Sequence, residues 1–476
     1  MNYQRSNNLL ITKNAKFTLD YFFSIFSVFV FIFVLIKCQE RGYELFFLLP
    51  FTFLLVYLII FRKIVYNTDN IFLIIIFLII FLRYIVLPLF TVITAYYDGR
   101  SSLPPKLDSF RLSNVLSIYE LATVSIAIWY FEQKLRKYKN LQISIPVTIR
   151  RGSDQIYWLF IISTLFIGII MPNTIKALNL VSPSSEIIRN FDSFTFFESL
   201  IIYSLLLAKQ LFALLLIKKL YFKYLKNYRY RYLLFSVFLA VINIIIYFGT
   251  NRSDVIINAV ATMLILHYLY LKRARMLLVI IIILLILIII SITVIRSGVS
   301  ISNNSNPLID FTDMLQAYLG GTYNIAIAIE TKEMFPQVSS PLVLMYDILR
   351  PMIGINFIMK KLNIDYSNIY FNRRLWIGID RRSQILPMIG QGYIYFGLFF
   401  APILSVIFVK FSYYLYRTLK KTKSLEMKYF ISLALIRLGF MMGQNTMNMI
   451  NDISMNLFLF LIIFMVNRTI SNGLNS

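Results

Sequence analysis

Residues 276–295 read MLLVIIIILLILIIISITVI, twenty positions without a charge. At about 1.5 Å per residue, a helix of that length covers the roughly 30 Å hydrocarbon core of a bilayer. KRAR (272–275) precedes it and Arg296 follows it. The run shows no amphipathic stripe, so it reads as a helix that is apolar all round, as lipid requires. Working outward from it, comparable runs lie near 19–38, 44–61, 71–95, 113–131, 156–171, 195–217, 232–249, 254–271, 387–409, 428–446 and 453–467. The composition agrees: 59% of the 476 residues are hydrophobic and 14% charged, with a mean hydropathy of +0.72. That is too apolar for a soluble chain of this size. The alternating ten-residue strands of a membrane β-barrel are absent. The expected fold is an all-α polytopic membrane protein of about twelve transmembrane helices.

The basic residues orient these helices. The net charge of +25 suggests nucleic acid in a soluble chain; here it fits cytoplasmic loops, and no nucleic-acid partner is expected. With both termini in the cytoplasm, the inner segments carry 27 of the 47 Lys and Arg. These include EQKLRKYKN (132–140), KKLYFKYLKNYRYR (218–231), KRAR, and the 410–428 stretch. Every short loop obeys the positive-inside bias, and a shift by one span breaks it. The first apolar run lacks a small-residue cleavage site and is read as a retained span. The lone cysteine, Cys38, staples nothing, and with no Cys/His cluster neither a metal nor a cofactor is expected.

This organisation divides the chain into spans one to nine (1–296), one long outer loop (297–386), and spans ten to twelve (387–476). The loop is rich in aliphatic and aromatic residues, so it is expected to fold as a cap. Leu308, Phe311, Leu315 and Leu319 recur at helical spacing and predict an amphipathic helix over 308–319. The apolar stretch PLVLMYDILRPMIGINFIMKK (341–361) is interrupted by Asp347, Arg350 and Pro351. It reads either as an interfacial segment or as a re-entrant one.

Charges within the apolar runs are functional hypotheses by default. Arg83 in span three and Glu120 in span four both fall about 12 Å below the outer surface. Consecutive antiparallel spans touch, so a buried pair is expected, either purely structural or lining a polar cavity with Glu120 orienting Arg83. Arg437 sits mid-span with no partner in its own helix. Lys209 and Glu198 read as snorkelling toward opposite ends of span six. His267, the only histidine, lies toward the inner face, so outer-face chemistry cannot use it. The turn in YFGTNRSDVI (247–256) places Arg252 at an outer tip, against the positive-inside bias. It is either a snorkelling interfacial arginine or an anion ligand, with Asp254 beside it in support. Arg296, Arg350, Arg373, Arg374, Arg381 and Arg382 add fixed charge on the outer side. Their planar forks suit bidentate phosphate binding.

LPMIGQGYIYFGLF (386–399) resembles the P…G-E-x-Y-x-N-F-G segment of Wzy-type oligosaccharide repeat-unit polymerases. GTNRSDVIINAVATMLILHY (249–268) resembles the G-x-R hairpin opening one of their long spans. The likeness covers the architecture of the whole chain but about 35 residues of sequence. It implies a C-type membrane glycosyltransferase of the bacterial cytoplasmic membrane, with its active site facing outward, in O-antigen or capsule synthesis. The implied reaction moves a growing glycan from undecaprenyl pyrophosphate onto a lipid-linked repeat unit, without metal. A chain-length regulator and a flippase are the implied partners. By resemblance, Arg252 falls on the family's hairpin arginine, a pyrophosphate ligand. Gln391 stands where glutamate is often found: if that position only hydrogen-bonds, Gln391 serves in the catalytic set, and if it is the general base, the role falls to Asp380 or Asp347; Tyr393 is a supporting residue. Arg83, Arg296, Arg350, Arg381, Arg382 and Arg437 complete the expected anion-binding set. The alternatives are an O-antigen ligase, which would carry an outer-loop histidine that this loop lacks, and a lipid-oligosaccharide flippase or twelve-span transporter.

Overall fold

The computed structural model describes residues 13–101, 103–137, 154–180, 195–249, 252–297, 306–379, 381 and 384–473. Asp380, Arg382 and the side chain of Arg296 lie outside the described residues.

Helices dominate, as the apolar runs demand. Among the described residues six are long and apolar enough to cross a membrane: Lys16–Lys37, Ile71–Thr94, Leu107–Lys137, Phe197–Asn227, Arg252–Tyr270 and Thr446–Ile470. Gln155–Ile170 and Tyr230–Ile245 are apolar but shorter, and the 276–295 run lies within the 23-residue helix Arg275–Ser297. The chain is therefore an α-helical membrane protein.

The expected twelve spans compare with these six, or seven if one bent pair counts as a span, and three runs expected to be straight are broken. The run near 387–409 is two helices, Met388–Phe400 and Ile403–Lys421, bent by 106°. Gly397 takes φ +71° inside the first helix, a conformation that residues with a Cβ rarely adopt, and Pro402 cannot donate to a continuing ladder. The run near 428–446 stops at Gly439, turns through Met441–Gly443, and restarts at Thr446. The run near 232–249 ends as a helix at Ile245. Ile246–Phe248 then pairs antiparallel with Leu178–Leu180, Asn179 opposite Tyr247. This ribbon is the one sheet among the described residues.

The chain forms two compact units. The first comprises 1–144, 302–417 and 437–451, so the long loop packs with the first four spans. Its central element is Thr322–Met334, buried from Thr322 through Thr331. This helix packs on Leu107–Lys137, Ser367–Leu375 and Met388–Phe400. A Cβ on Gly390 would lie 2.6 Å from Ala328 Cβ, so small residues let these two backbones approach closely. The amphipathic 308–319 segment is helical, as Pro307–Leu319, with Leu315 and Leu319 buried and Leu308 and Phe311 exposed. Asn306 caps its start and Gly320, at φ +61°, its end.

The second unit comprises 145–301, 418–436 and 452–476. Its longest helix, Phe196–Asn227, opens on a Thr195–Glu198 capping box. Glu198 is thus a cap, not a snorkelling charge. Lys209 does not snorkel either: its ammonium donates to the carbonyls of Asn243 and Ile246, each at 2.7 Å. It holds the carbonyl end of Tyr230–Ile245, where a cation is favoured. Asn243 donates in turn to Asn258, Thr262 and Tyr429. Lys218 joins Asp154 and Glu426, each at 2.7 Å.

Candidate functional site

In the first unit, Arg83 lies in Leu82–Val86, a π-helical turn inside the Ile71–Thr94 span. Such turns insert one residue and re-aim the side chains around them, and they recur at functional sites. The residue is 97% buried, and its Nη1 donates to Glu120 Oε2 at 2.9 Å and to the Met442 carbonyl at 3.2 Å. That carbonyl is free because the helix is broken at Met441–Gly443. Ser405 donates to the other Glu120 oxygen at 2.9 Å. Arg83 Nη2 and Thr322 Oγ1 have no hydrogen-bond partner. Both line a small cavity with Ser117, Tyr84 and Gly321. The expected pair is present, with donors left over on one side.

A second cluster joins the long loop to the motif around Gln391. Asp347, on Pro341–Leu349, is fully buried. It accepts from Ser367 N at 3.2 Å, from the Ser367 hydroxyl, from Gln391 Nε2 at 2.7 Å and from the Tyr395 hydroxyl at 2.7 Å. Burial pushes its carboxyl upward, and the four donors oppose that. Gln391 Oε1 accepts from Thr446 N at 2.9 Å. This geometry needs an amide at 391: a glutamate would set a second carboxyl against Asp347. The flanking glycines are also explained, since a Cβ on Gly392 would meet the Ala401 carbonyl oxygen at 1.9 Å. Asp347 is enclosed and its oxygens engaged, so it reads here as a tie between helices and not as an accessible base. Tyr395, not Tyr393, serves this cluster; the Tyr393 carbonyl instead accepts from Lys332 at 3.0 Å.

Arg350, one turn beyond Asp347, sits over the same cluster. Its guanidinium lies 4.5 Å from the Tyr366 ring and 5.6 Å from that of Tyr346. Its hydrogen-bond acceptor is Met447 Sδ at 3.7 Å, and its Nε has none. Stacking on aromatic faces fixes the plane of the fork while leaving most of its N–H groups unspent.

The other outer arginines divide. Arg374 is not aqueous: it is buried on Glu330 and reaches the Leu103 carbonyl. Arg373 pairs with Asp365 at 2.8 Å on the surface. Arg381 stacks on Trp376 at 4.7 Å, and burial with the nearby Arg100 lowers its proton affinity. Arg100 is itself committed to Asp313. Arg437 is buried in the Leu425–Gly439 helix. In the second unit, Arg252 and Asp254 occupy the first turn of Arg252–Tyr270, where Arg252 is half-buried and Asp254 exposed. A cation there opposes the helix dipole.

The structure thus brings together Arg83 with Glu120, and Asp347 with Gln391 beneath Arg350. The sequence reading passed over Ser367, Tyr395, Ser405 and Thr446. Only Tyr395 carried a signal, in the second tyrosine of GYIY. Comparisons with protein-family models, curated proteins and solved structures find no match for this chain.

Proposed function

We propose that the chain is a repeat-unit polymerase of the Wzy type, with twelve spans, both termini in the cytoplasm and the 297–386 loop as an outer cap. It would transfer a growing glycan from undecaprenyl pyrophosphate to the terminal sugar of a lipid-linked repeat unit. In that reaction the anomeric carbon–phosphate oxygen bond breaks and a bond to an acceptor hydroxyl forms. The pyrophosphate leaves with the electron pair, and the acceptor proton passes to water or to the leaving phosphate. Fixed cations that meet the developing charge without reorganising would supply much of the catalysis.

The observation that carries this reading is Arg350, oriented by Tyr346 and Tyr366, with one donor on the Met447 sulfur and its Nε without an acceptor. Arg83, which lines a small cavity and whose Nη2 has no acceptor, is a second such group. Arg252 keeps the role that its motif implies.

The test is deletion of the gene in its host, with a gel of the surface polysaccharide and complementation by variants. Loss of the ladder with a single-repeat band retained marks a polymerase. Loss of both, with lipid-linked repeats accumulating, marks the flippase or ligase alternative and overturns the reading. Arg252→Ala and Arg350→Ala should abolish the ladder in normally inserted protein. The Lys variants should retain little, because lysine lacks the fork.

A further inference from the structure

Residues 341–362 of the outer loop form two short helices, Pro341–Leu349 and Asn356–Lys361. The first is split by side. Val343, Tyr346 and Asp347 point inward and are buried, whereas Leu342 and Met345 are each 54% exposed. The second exposes Phe357 and Ile358, the latter at 64%, and Leu362 follows. Exposed apolar side chains so concentrated are costly in water and mark a contact surface.

We propose that this surface is seated in the outer leaflet of the phospholipid bilayer, so that the cap is a monotopic element lying in the membrane plane and not a water-borne lid. Three features favour lipid as the occupant. The first is charge. The only acid between 341 and 362 is Asp347, which is spent inside the protein, so the exposed charge is cationic and complements a phosphate plane. The second is the way Lys361 lies. Its ammonium sits 4.7 Å from the ring of the exposed Phe357, a cation held beside an apolar side chain as a snorkelling lysine holds it. The third is continuity. Tyr395 reaches Asp347 from the Met388–Phe400 helix. Beyond Gly397 at the end of that helix Phe399 and Phe400 are 80% and 65% exposed, and the helix together with Ile403–Lys421 is apolar enough for the membrane.

Seating these helices in the headgroup–acyl boundary sets Arg350 at the level of the lipid phosphates. A lipid-linked anion diffusing in the leaflet would then reach the Arg350 fork without leaving the membrane. The seating rests on the membrane character of the chain and stands independently of the polymerase reading.

The test uses the full chain in a Cys38→Ser background, with single cysteines at Ile358, Leu342 and Glu333, each carrying an environment-sensitive fluorophore. Glu333 is an exposed position on the same loop. The protein is reconstituted in phosphatidylethanolamine–phosphatidylglycerol vesicles. At 342 and 358 the expected result is blue-shifted emission, quenching by spin-labelled acyl chains, and iodide quenching several-fold weaker than at 333. Iodide quenching at 342 and 358 equal to that at 333, without quenching by labelled lipid, overturns the proposal. That outcome would leave the face to a protein partner. Activity is not read, so failure of the polymerase assignment cannot mimic failure here.

Discussion

At the scale of single residues, the cost of burying charge sets expectations for Arg83 and Gln391. Arg83 and Glu120 are each almost fully buried, and truncating one strands the other at about 3–5 kcal/mol. Arg83→Ala should therefore lower thermal stability sharply, and adding Glu120→Gln should restore part of the loss. A double variant no more stable than Arg83→Ala would mean that the pair is not coupled. At 391 the amide donates to Asp347. Gln391→Glu replaces that donor with a group that gains negative charge as pH rises. Destabilisation should grow from pH 5 to pH 8, read as a falling melting temperature relative to wild type. A pH-independent difference would show that the two side chains do not share the space described.

At the scale of elements, the breaks matter more than the helices. The bend after Met388–Phe400 turns on Gly392, where the Ala401 carbonyl leaves no room for a Cβ. Gly392→Ala must move that backbone, and it should reduce the yield of folded, detergent-stable protein far more than an alanine at the helical Gly168, where a Cβ meets only flexible side-chain ends, the nearest that of Leu205 at 3.1 Å. Equal yields would show that the bend does not depend on this contact. The turn at Met441–Gly443 has a parallel use, because breaking the helix frees a carbonyl for Arg83. Non-helical backbone at membrane depth is tolerated where protein groups satisfy it. Lys209 does the same for the end of Tyr230–Ile245.

At the scale of the whole molecule, the proposed topology predicts which positions face the outside. In the Cys38→Ser background, a membrane-impermeant thiol reagent applied to intact cells should label Glu333→Cys and spare Lys423→Cys. Both positions are exposed on the protein. Labelling at 423 from outside would invert or break the twelve-span assignment. The long loop belongs to one compact unit with the first four spans, so loss of that loop should unfold the unit rather than merely uncap it.

Much of this protein was legible from its sequence. A bilayer admits few backbone solutions, so runs such as 276–295 specify membrane helices on their own. The Arg83–Glu120 pair followed from depth and adjacency, because a charge in hydrocarbon needs a near neighbour. The helix over 308–319 followed from its period. What tertiary structure decided was everything set by contacts distant along the chain. TYNIAIAIETKEM is too short for a span, has no clear stripe, and proved to be the core of the first unit. The extended ending of 246–248 depends on a partner strand some seventy residues earlier. Asp347, Ser367, Gln391, Tyr395 and Thr446 meet only once four helices have packed. Local pattern carries hydrophobicity and period, whereas the pairing of buried polar groups is settled by which helices come to lie side by side.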